Sequence, residues 1–387
     1  MLNLEKLKEI QKEVSKKVDA DSVNYENRKM AYKYYINELE KFLKDNPNNA
    51  WATTQKIMAE NFAGINDSCS EDLLNKFLEE NYKTLSLEDK ALIVNNAAYY
   101  ELENNNFKEE TILRLEAIVN KGIKTKSILY PLVFSYVKEG SSKTLLYINE
   151  LKAIMGNTLE LLLWEALGYR FLGEIDKSCE LLEAMIIEIR HEIKKDNENT
   201  NSYLLMYSEL VRYNLCYNKY LQNDFDYAYK ILSVLEKEID DKLAVEFMYD
   251  NIFDLYYLMD FYEDVKRVGE KMIGNYANKG FFEHYLYAIY KTDGIETVKN
   301  KMEIYLTKSE KSISTEIKDD LELAENNFDC TESLLDEMLS ITKAYNNMIN
   351  DDIKPEIDEN NLLLYFWILD CFLENCIVHS NWYESRI

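Results

Sequence analysis

Three histidines, six cysteines and 70 acids are the residues of this 387-residue chain that could do chemistry. Their spacing leaves them little to do. His191, His284 and His379 stand in no nucleophile elbow, and neither Gly-x-x-x-x-Gly-Lys nor Gly-x-Gly-x-x-Gly occurs. Cys371, Cys376 and His379 have the residue types of a zinc site. On a helix turning 100° per residue, however, the second and third would point about 140° and 80° away from the first, and no CxxC pair completes a tetrahedron. Asp319-Asp320 and Asp351-Asp352 are adjacent in sequence, which aims each pair to different sides of a helix rather than at one substrate. The expectation is a non-catalytic protein with no metal and no cofactor.

The elements that would carry these residues are helices. Only 10 Gly and 3 Pro leave too few turn formers for a many-stranded sheet. What recurs instead is a phrase: an aromatic-rich run, a short polar break, an apolar residue, then a second amphipathic run. It reads Glu103-Asn104-Asn105-Asn106-Phe107, Phe171-Leu172-Gly173-Glu174-Ile175, Tyr220-Leu221-Gln222-Asn223-Asp224-Phe225 and Tyr257-Leu258-Met259-Asp260-Phe261. Each is the turn of a helical hairpin. Turn positions at Asn105, Gly140, Gly173, Asn223, Asp260 and Asp293 are spaced by 35, 33, 50, 37 and 33 residues. Four of these five intervals lie near the ~34-residue period of stacked helical pairs. The long one follows from a second helix that continues past Ile189 into the polar stretch from Lys194 to Asn201.

Five residues beyond the turn stand Ser178, Ala228, Val265 and Val298, with Leu182, Leu232 and Met302 four later; upstream, Trp164, Leu167, Gly168 and Phe171 follow a Trp-x2-Leu-Gly-x2-aromatic start. In these features residues 90 to 305 resemble tetratricopeptide (TPR) repeats. The resemblance implies an all-α fold, an α-solenoid of TPR-like hairpins in which a small residue lets paired helices approach. It implies a concave groove lined by the first helix of each pair. Tyr99, Tyr100, Tyr169, Tyr213, Tyr217, Tyr249, Asn251 and Tyr256 are the candidate lining residues, tyrosine for its apolar ring and polar tip and asparagine for its two-ended grip on a peptide backbone.

Three regions are expected. Residues 1–62 form a helical head, with helices over Leu4 to Val18, Tyr25 to Lys44 and Trp51 to Phe62. Residues 63–305 form the repeats, and residues 306–387 a C-terminal helical cap interrupted at Pro355, its apolar run Leu362 to Leu369 closing the stack. That run is shorter than the ~20 residues a membrane span needs. The charged start Leu4-Glu5-Lys6-Leu7-Lys8 lacks the apolar heart of a signal peptide. Scattered cysteines at apolar positions read as reduced thiols, so the expected location is cytoplasmic.

The net charge of −25 lies almost wholly beyond residue 60, because the first 60 residues hold 11 Lys/Arg against 10 Asp/Glu. Residues 316–337 carry nine acids against one lysine. Asp319, Asp320, Glu322 and Glu325 form the expected acidic partner patch. Such a surface disfavours nucleic-acid backbones, which need clustered Lys/Arg, and favours a basic protein or peptide; the oligomeric state stays open, a dimer included. The leading reading is thus a protein- or peptide-binding scaffold. Two alternatives share the composition. A near-neutral head on a repeat body is similar to cytosolic peptide-pheromone receptors, which implies a peptide-responsive regulator. An acidic surface of this kind would also suit a nucleic-acid mimic inhibiting a basic nuclease or defence protein.

Overall fold

In a computed structural model, the structure describes residues 3–20, 25–65, 68–104, 107–195, 202–240, 248–275, 281–304, 341–348, 350, 352–357 and 372–377. Its regular elements are all helical, with no strand among the described residues, and no described helix is long and apolar enough to cross a membrane. The chain divides into two compact units, Met1–Ser178 with Phe366–Ile387, and Cys179–Tyr365.

The first unit holds α1 (Leu4–Ala20), α2 (Tyr25–Asp45), α3 (Ala50–Phe62), α4 (Ser70–Asn81), α5 (Leu87–Glu103), α6 (Glu109–Asn120), α7 (Lys126–Lys138), α8 (Lys143–Met155) and α9 (Leu159–Phe171). The boundary falls inside α10 (Ile175–Lys195). The second holds α11 (Ser202–Leu221), α12 (Phe225–Asp240), α13 (Met248–Leu258), α14 (Tyr262–Asn275) and α15 (Phe282–Asp293), with helical segments at 295–304 and 341–348. The three expected N-terminal helices lie within two residues of their observed bounds.

Two kinds of joint alternate along the chain, and each has a local cause. Within hairpins the first helix ends on a left-handed residue: Gly140 at φ 62°, Gly173 at 78°, Asn223 at 59° and Asp260 at 62°. The next amide then reaches back across the turn, Glu174 N to Tyr169 O at 2.9 Å, Asp224 N to Lys219 O at 2.8 Å and Phe261 N to Tyr256 O at 2.9 Å, which satisfies carbonyls the helix end would otherwise orphan. At the last hairpin the bond register is kept by Gly294 N to Ile289 O, but the positive φ sits on Gly294 at 84° rather than on Asp293. A glycine one place on takes that conformation without a Cβ penalty, so Asp293 stays helical. Asn105 lies outside the described residues. Between hairpins the next first helix starts on a side-chain cap: Asn49 before α3, Ser86 before α5, Thr125 before α7 and Thr158 before α9.

The positions expected to be small are where paired helices close. Ser178, Ala228, Val265 and Val298 are fully buried. Ser178 Oγ donates to Ala166 O at 2.6 Å, and Cys216 Sγ to Ala228 O at 3.4 Å. In the first unit α3 packs on α5, α5 on α7 and α7 on α9, so the first helices of successive hairpins form one wall while the second helices back it. The features that carry the TPR resemblance are therefore present as stacked helical hairpins.

In the second unit the tightest approach is at Gly269 of α14, where a Cβ would lie 2.5 Å from Tyr285 Cδ2 and 3.2 Å from Phe253 Cε2. Both rings are fully buried and cannot swing aside. Gly269→Ala is expected to lower the stability of this unit by about 2 kcal/mol despite the better helix propensity of alanine, because overpacking of a closed core outweighs it. A chemical denaturation curve checks this; an unchanged or raised midpoint would contradict it.

On α13, burial beside Asp250 pushes Asp254 up to about 7. A folded-state carboxyl raised above its unfolded value binds its proton more tightly when folded, so stability falls as pH rises from about 4 through 7. Asp254→Asn should thus raise the melting temperature at pH 8, with an upper bound of about 4 kcal/mol from the size of the shift, and leave it unchanged at pH 4. A gain at pH 4 equal to that at pH 8 would refute the assignment.

Candidate functional site: an amide-lined groove holding an extended segment

Along the wall of first helices in the first unit, four carboxamides occupy buried positions: Gln11 on α1, Gln55 on α3, and Asn95 and Asn96 on α5. The last two interrupt the apolar run Ala91 to Ala98, and both are fully buried. Burying an amide without partners costs about 1–3 kcal/mol, so each needs something to bond. What they bond is the main chain of Phe372–Ile377, a non-helical segment with turns at Glu374, Asn375 and Ile377 that belongs to the same unit. Asn95 Nδ2 donates to Phe372 O at 3.0 Å, and Glu374 N donates to Asn96 Oδ1 at 3.0 Å. Gln11 Nε2 and Gln55 Nε2 both donate to Asn375 O, at 2.7 and 2.9 Å.

The amides are themselves oriented. Gln55 Oε1 accepts from Gln11 Nε2 at 3.0 Å and from Tyr35 Oη at 3.2 Å, which fixes its Nε2 toward the segment. Asn375 adopts φ 57°, a left-handed turn that presents its carbonyl to both glutamines. Side chains add a second layer. Phe372 meets the Tyr99 ring edge-on, centroids 5.0 Å apart, and Glu374 Oε1 accepts from Ser127 Oγ at 2.7 Å. Phe372, Leu373, Cys376 and Ile377 are buried while Asn375 is exposed. In this arrangement side-chain amides satisfy main-chain N–H and C=O groups of the segment.

Residues 306–387 are expected to form a helical cap, and at Phe372–Ile377 the chain is not helical. Amide side chains from the wall take the hydrogen bonds a helix would have made internally. Cys376 is therefore not on a helix, and Cys371 and His379 lie outside the described residues, as does Leu362 to Leu369. Among the described residues no group of three or more His, Cys, Asp or Glu could hold a metal ion.

The structure separates the sequence-based groove candidates. Tyr99 touches the held segment. Tyr169 is half-buried, with Lys177 Nζ 5.5 Å from its ring centroid. Tyr100 is buried. Tyr213, Tyr217, Tyr249 and Tyr256 belong to the core of the second unit, Tyr213 and Tyr256 with no exposure at all. Asn251 is buried beside them. These tyrosines face partner helices because a large ring at a helix-facing position is the best filler of the space between hairpins. The Tyr256 hydroxyl is accommodated by Glu236 Oε2 at 3.3 Å. Asp319, Asp320, Glu322 and Glu325 lie outside the described residues. His191 is exposed on α10. His284 lies tilted against the Tyr257 ring, centroids 4.7 Å apart, and donates from Nε2 to Glu356 O at 3.1 Å, with burial lowering its pKa.

Comparison with known proteins adds little. No family model matches the chain, and no curated protein matches it. Among solved structures it is similar to a chain in the complex of Naa15/Naa10 bound to HypK-THB, with 15% identity, a TM-score of 0.35, and coverage of 78% of this chain and 42% of that one. The chain thus spans less than half the length of that neighbour.

Gln11, Gln55, Asn95, Asn96 and Ser127 were not among the sequence-based candidates. The legible signal was Asn95-Asn96, two adjacent amides inside an apolar helix. A second extended segment lies in the second unit, also on first helices. Asp352–Ile357 crosses α13 and α15, with Tyr257 Oη donating to Pro355 O at 2.8 Å and Lys354 Nζ to Asp260 Oδ1 at 2.7 Å. Burial pushes Asp260 up, and the bonds from Lys354 and Tyr262 outweigh it, holding the carboxyl below its usual range.

Elsewhere in the first unit, a cavity of about 620 Å³ lies between α5, α6, α7 and α8, bordered by Glu116, Tyr136 and Lys143. Burial pushes Glu116 up, but Lys143 Nζ and Tyr136 Oη, each at 2.7 Å, and Tyr147 Oη at 3.1 Å hold it below the usual range. A carboxylate so tied is a structural anion, poorly suited to proton transfer at neutral pH.

Proposed function

We propose that the protein is a non-catalytic scaffold that binds an extended segment of a partner protein or peptide in the amide-lined groove of its first unit. The observation that carries this reading is the set of four buried carboxamides spent on main-chain atoms of Phe372–Ile377. Side-chain amides bonding backbone N–H and C=O recognise extended conformation largely independent of sequence, and apolar pockets add selectivity. The expectation of a basic partner rested on residues 316–337; in the groove itself Ser127 meets an acidic side chain, so basic character is not part of this proposal.

Random peptides displayed on phage and panned against the full chain test it. Enriched peptides, measured by fluorescence anisotropy on chains that also carry Phe372→Ala and Leu373→Ala so that Phe372–Ile377 does not hold the same amides, should lose at least tenfold in affinity on Asn96→Ala and on Gln55→Ala, with helicity by circular dichroism retained. Enriched peptides indifferent to both substitutions, or no enrichment at all, would sink the proposal.

A further inference from the structure

Resting on that reading, we infer that the groove selects a segment of the pattern aromatic, aliphatic, acidic, Asn or Gly, small, aliphatic, and that Phe372–Ile377 is the chain's own competitor for it. The pattern follows from what each position of the held segment meets. Phe372 packs edge-on against Tyr99, and Leu373 is buried. Glu374 accepts from Ser127 Oγ at 2.7 Å, and Lys126 borders the same cavity, so an acidic side chain is favoured there over a basic one by charge. Asn375 is exposed, so its side chain is not read; its φ of 57° is. That conformation admits glycine and asparagine and penalises β-branched residues. Cys376 and Ile377 are both buried, so the pattern keeps a small side chain where Cys376 stands and an aliphatic one where Ile377 stands.

The competitor role follows from what the held segment leaves unmet. Asn95 Oδ1 and Asn96 Nδ2 are buried and have no hydrogen-bond partner among the described residues. Each asparagine therefore spends one end of its amide on the segment and not the other. Asn95 Nδ2 uses both its hydrogens, one on Phe372 O and one on Asn96 Oδ1 at 3.2 Å, so the unmet groups are the other two amide ends. A segment whose amide met Asn95 Oδ1 and whose carbonyl met Asn96 Nδ2 would fill both valences, an advantage the resident lacks. There is also room for a better ligand. A cavity of about 260 Å³ borders Phe372, Leu373 and Glu374 on one side and Thr125, Lys126 and Ser127 on the other. A resident on the same chain gains from proximity in addition to its fit, so a partner binds only after displacing it.

The test uses the full chain and a fluorescein-labelled peptide of residues 370–379. Wild type should bind it weakly. A Phe372→Ala, Leu373→Ala chain should bind it at least ten times more tightly. Within the peptide, Glu374→Lys and Asn375→Val should each cost tenfold or more, while Asn375→Gly should be tolerated. Where the double variant fails to fold, site-resolved maleimide labelling of wild type decides instead. Saturating a panned peptide should raise the labelling rate of buried Cys376 at least tenfold.

Peptide binding equal in wild type and variant, or labelling of Cys376 unmoved by a bound peptide, overturns the competitor role while leaving the groove reading intact. Indifference of the peptide to Glu374→Lys and Asn375→Val overturns the pattern. Panned peptides insensitive to Asn96→Ala sink the underlying groove reading itself.

Discussion

Replacing Arg267 with alanine is expected to cost about 3 kcal/mol of stability at pH 7, because it strands a buried carboxylate. Glu236 of α12 is 6% exposed and receives Arg267 as a fork, Nε to Oε1 at 3.0 Å and Nη2 to Oε2 at 2.5 Å, with Lys271 Nζ at 2.9 Å. Both cations come from α14, so the cluster fastens the two helices, and Arg267 Nη1 also reaches Asp264 Oδ1 at 2.5 Å. Burial pushes Glu236 up, yet the hydrogen bonds and charges of Arg267 and Lys271 outweigh it and leave the carboxyl below its ordinary value.

The sign of the pH dependence follows. A depressed folded-state value contributes stability that is complete above the unfolded value near 4.5 and is lost as pH falls through the folded one. The cost of Arg267→Ala should therefore shrink in acid, where the stranded carboxyl can protonate. Lys271 remains in the variant, which keeps the cost below the ~5 kcal/mol upper range for a broken buried pair. Arg267→Lys, which keeps the charge but loses the fork, should cost about 1 kcal/mol. Hydrogen exchange of α12 and α14 amides, measured at pH 7 and in parallel melts at pH 4, reads the effect. An equal loss at the two pH values would mean that the ion pair is not its source.

The second large effect is expected from Asn95→Ala combined with Asn96→Ala. Both side chains are fully buried, and removing them leaves Phe372 O and Glu374 N without their 3.0 Å partners. At about 1–3 kcal/mol for each stranded group, the docking of Phe372–Ile377 should weaken by about 3 kcal/mol, the loss of two unpartnered amide ends offsetting part of it. The cost falls on the held segment rather than on the helices, because α5 keeps its apolar face and alanine is the better helix former. Circular dichroism should thus stay constant while the Glu374 amide exchanges, and Cys376 alkylates, more than tenfold faster. Cys376 protected to the same degree in the variant would show that apolar packing, not the amides, holds the segment.

The hairpin turns could be read from residues because their cause is local. Gly140, Gly173, Asn223 and Asp260 are residue types that tolerate a left-handed backbone, and each takes it. The prediction missed by one place only where Asp293 and Gly294 compete, and there the glycine prevailed. The buried small residues followed from the same register, since five steps beyond the turn the second helix must pass closest to the first.

The groove was only half legible. Of the tyrosines expected on first helices, Tyr99 meets the Phe372 ring, while Tyr213, Tyr217, Tyr249 and Tyr256 fill the core of the second unit. Helical periodicity marks a face as buried but does not say whether a neighbouring helix or a returning strand of chain buries it. Asn95-Asn96 could have resolved that, since two buried amides imply polar partners that a helix, its own amides and carbonyls already paired, does not supply.

By itself, then, the sequence determined the helical class, the turns and the close-packing positions of this protein, all governed by interactions within a few residues. The tertiary structure alone decided which face of the first helices carries buried amides and which segment of the chain meets them. The contacts that settle both join Gln11 to Asn375 and Asn95 to Phe372, residues 364 and 277 positions apart. No local propensity encodes a pairing across such a distance; it emerges only when stacked helices leave buried amides that the chain's own backbone can satisfy.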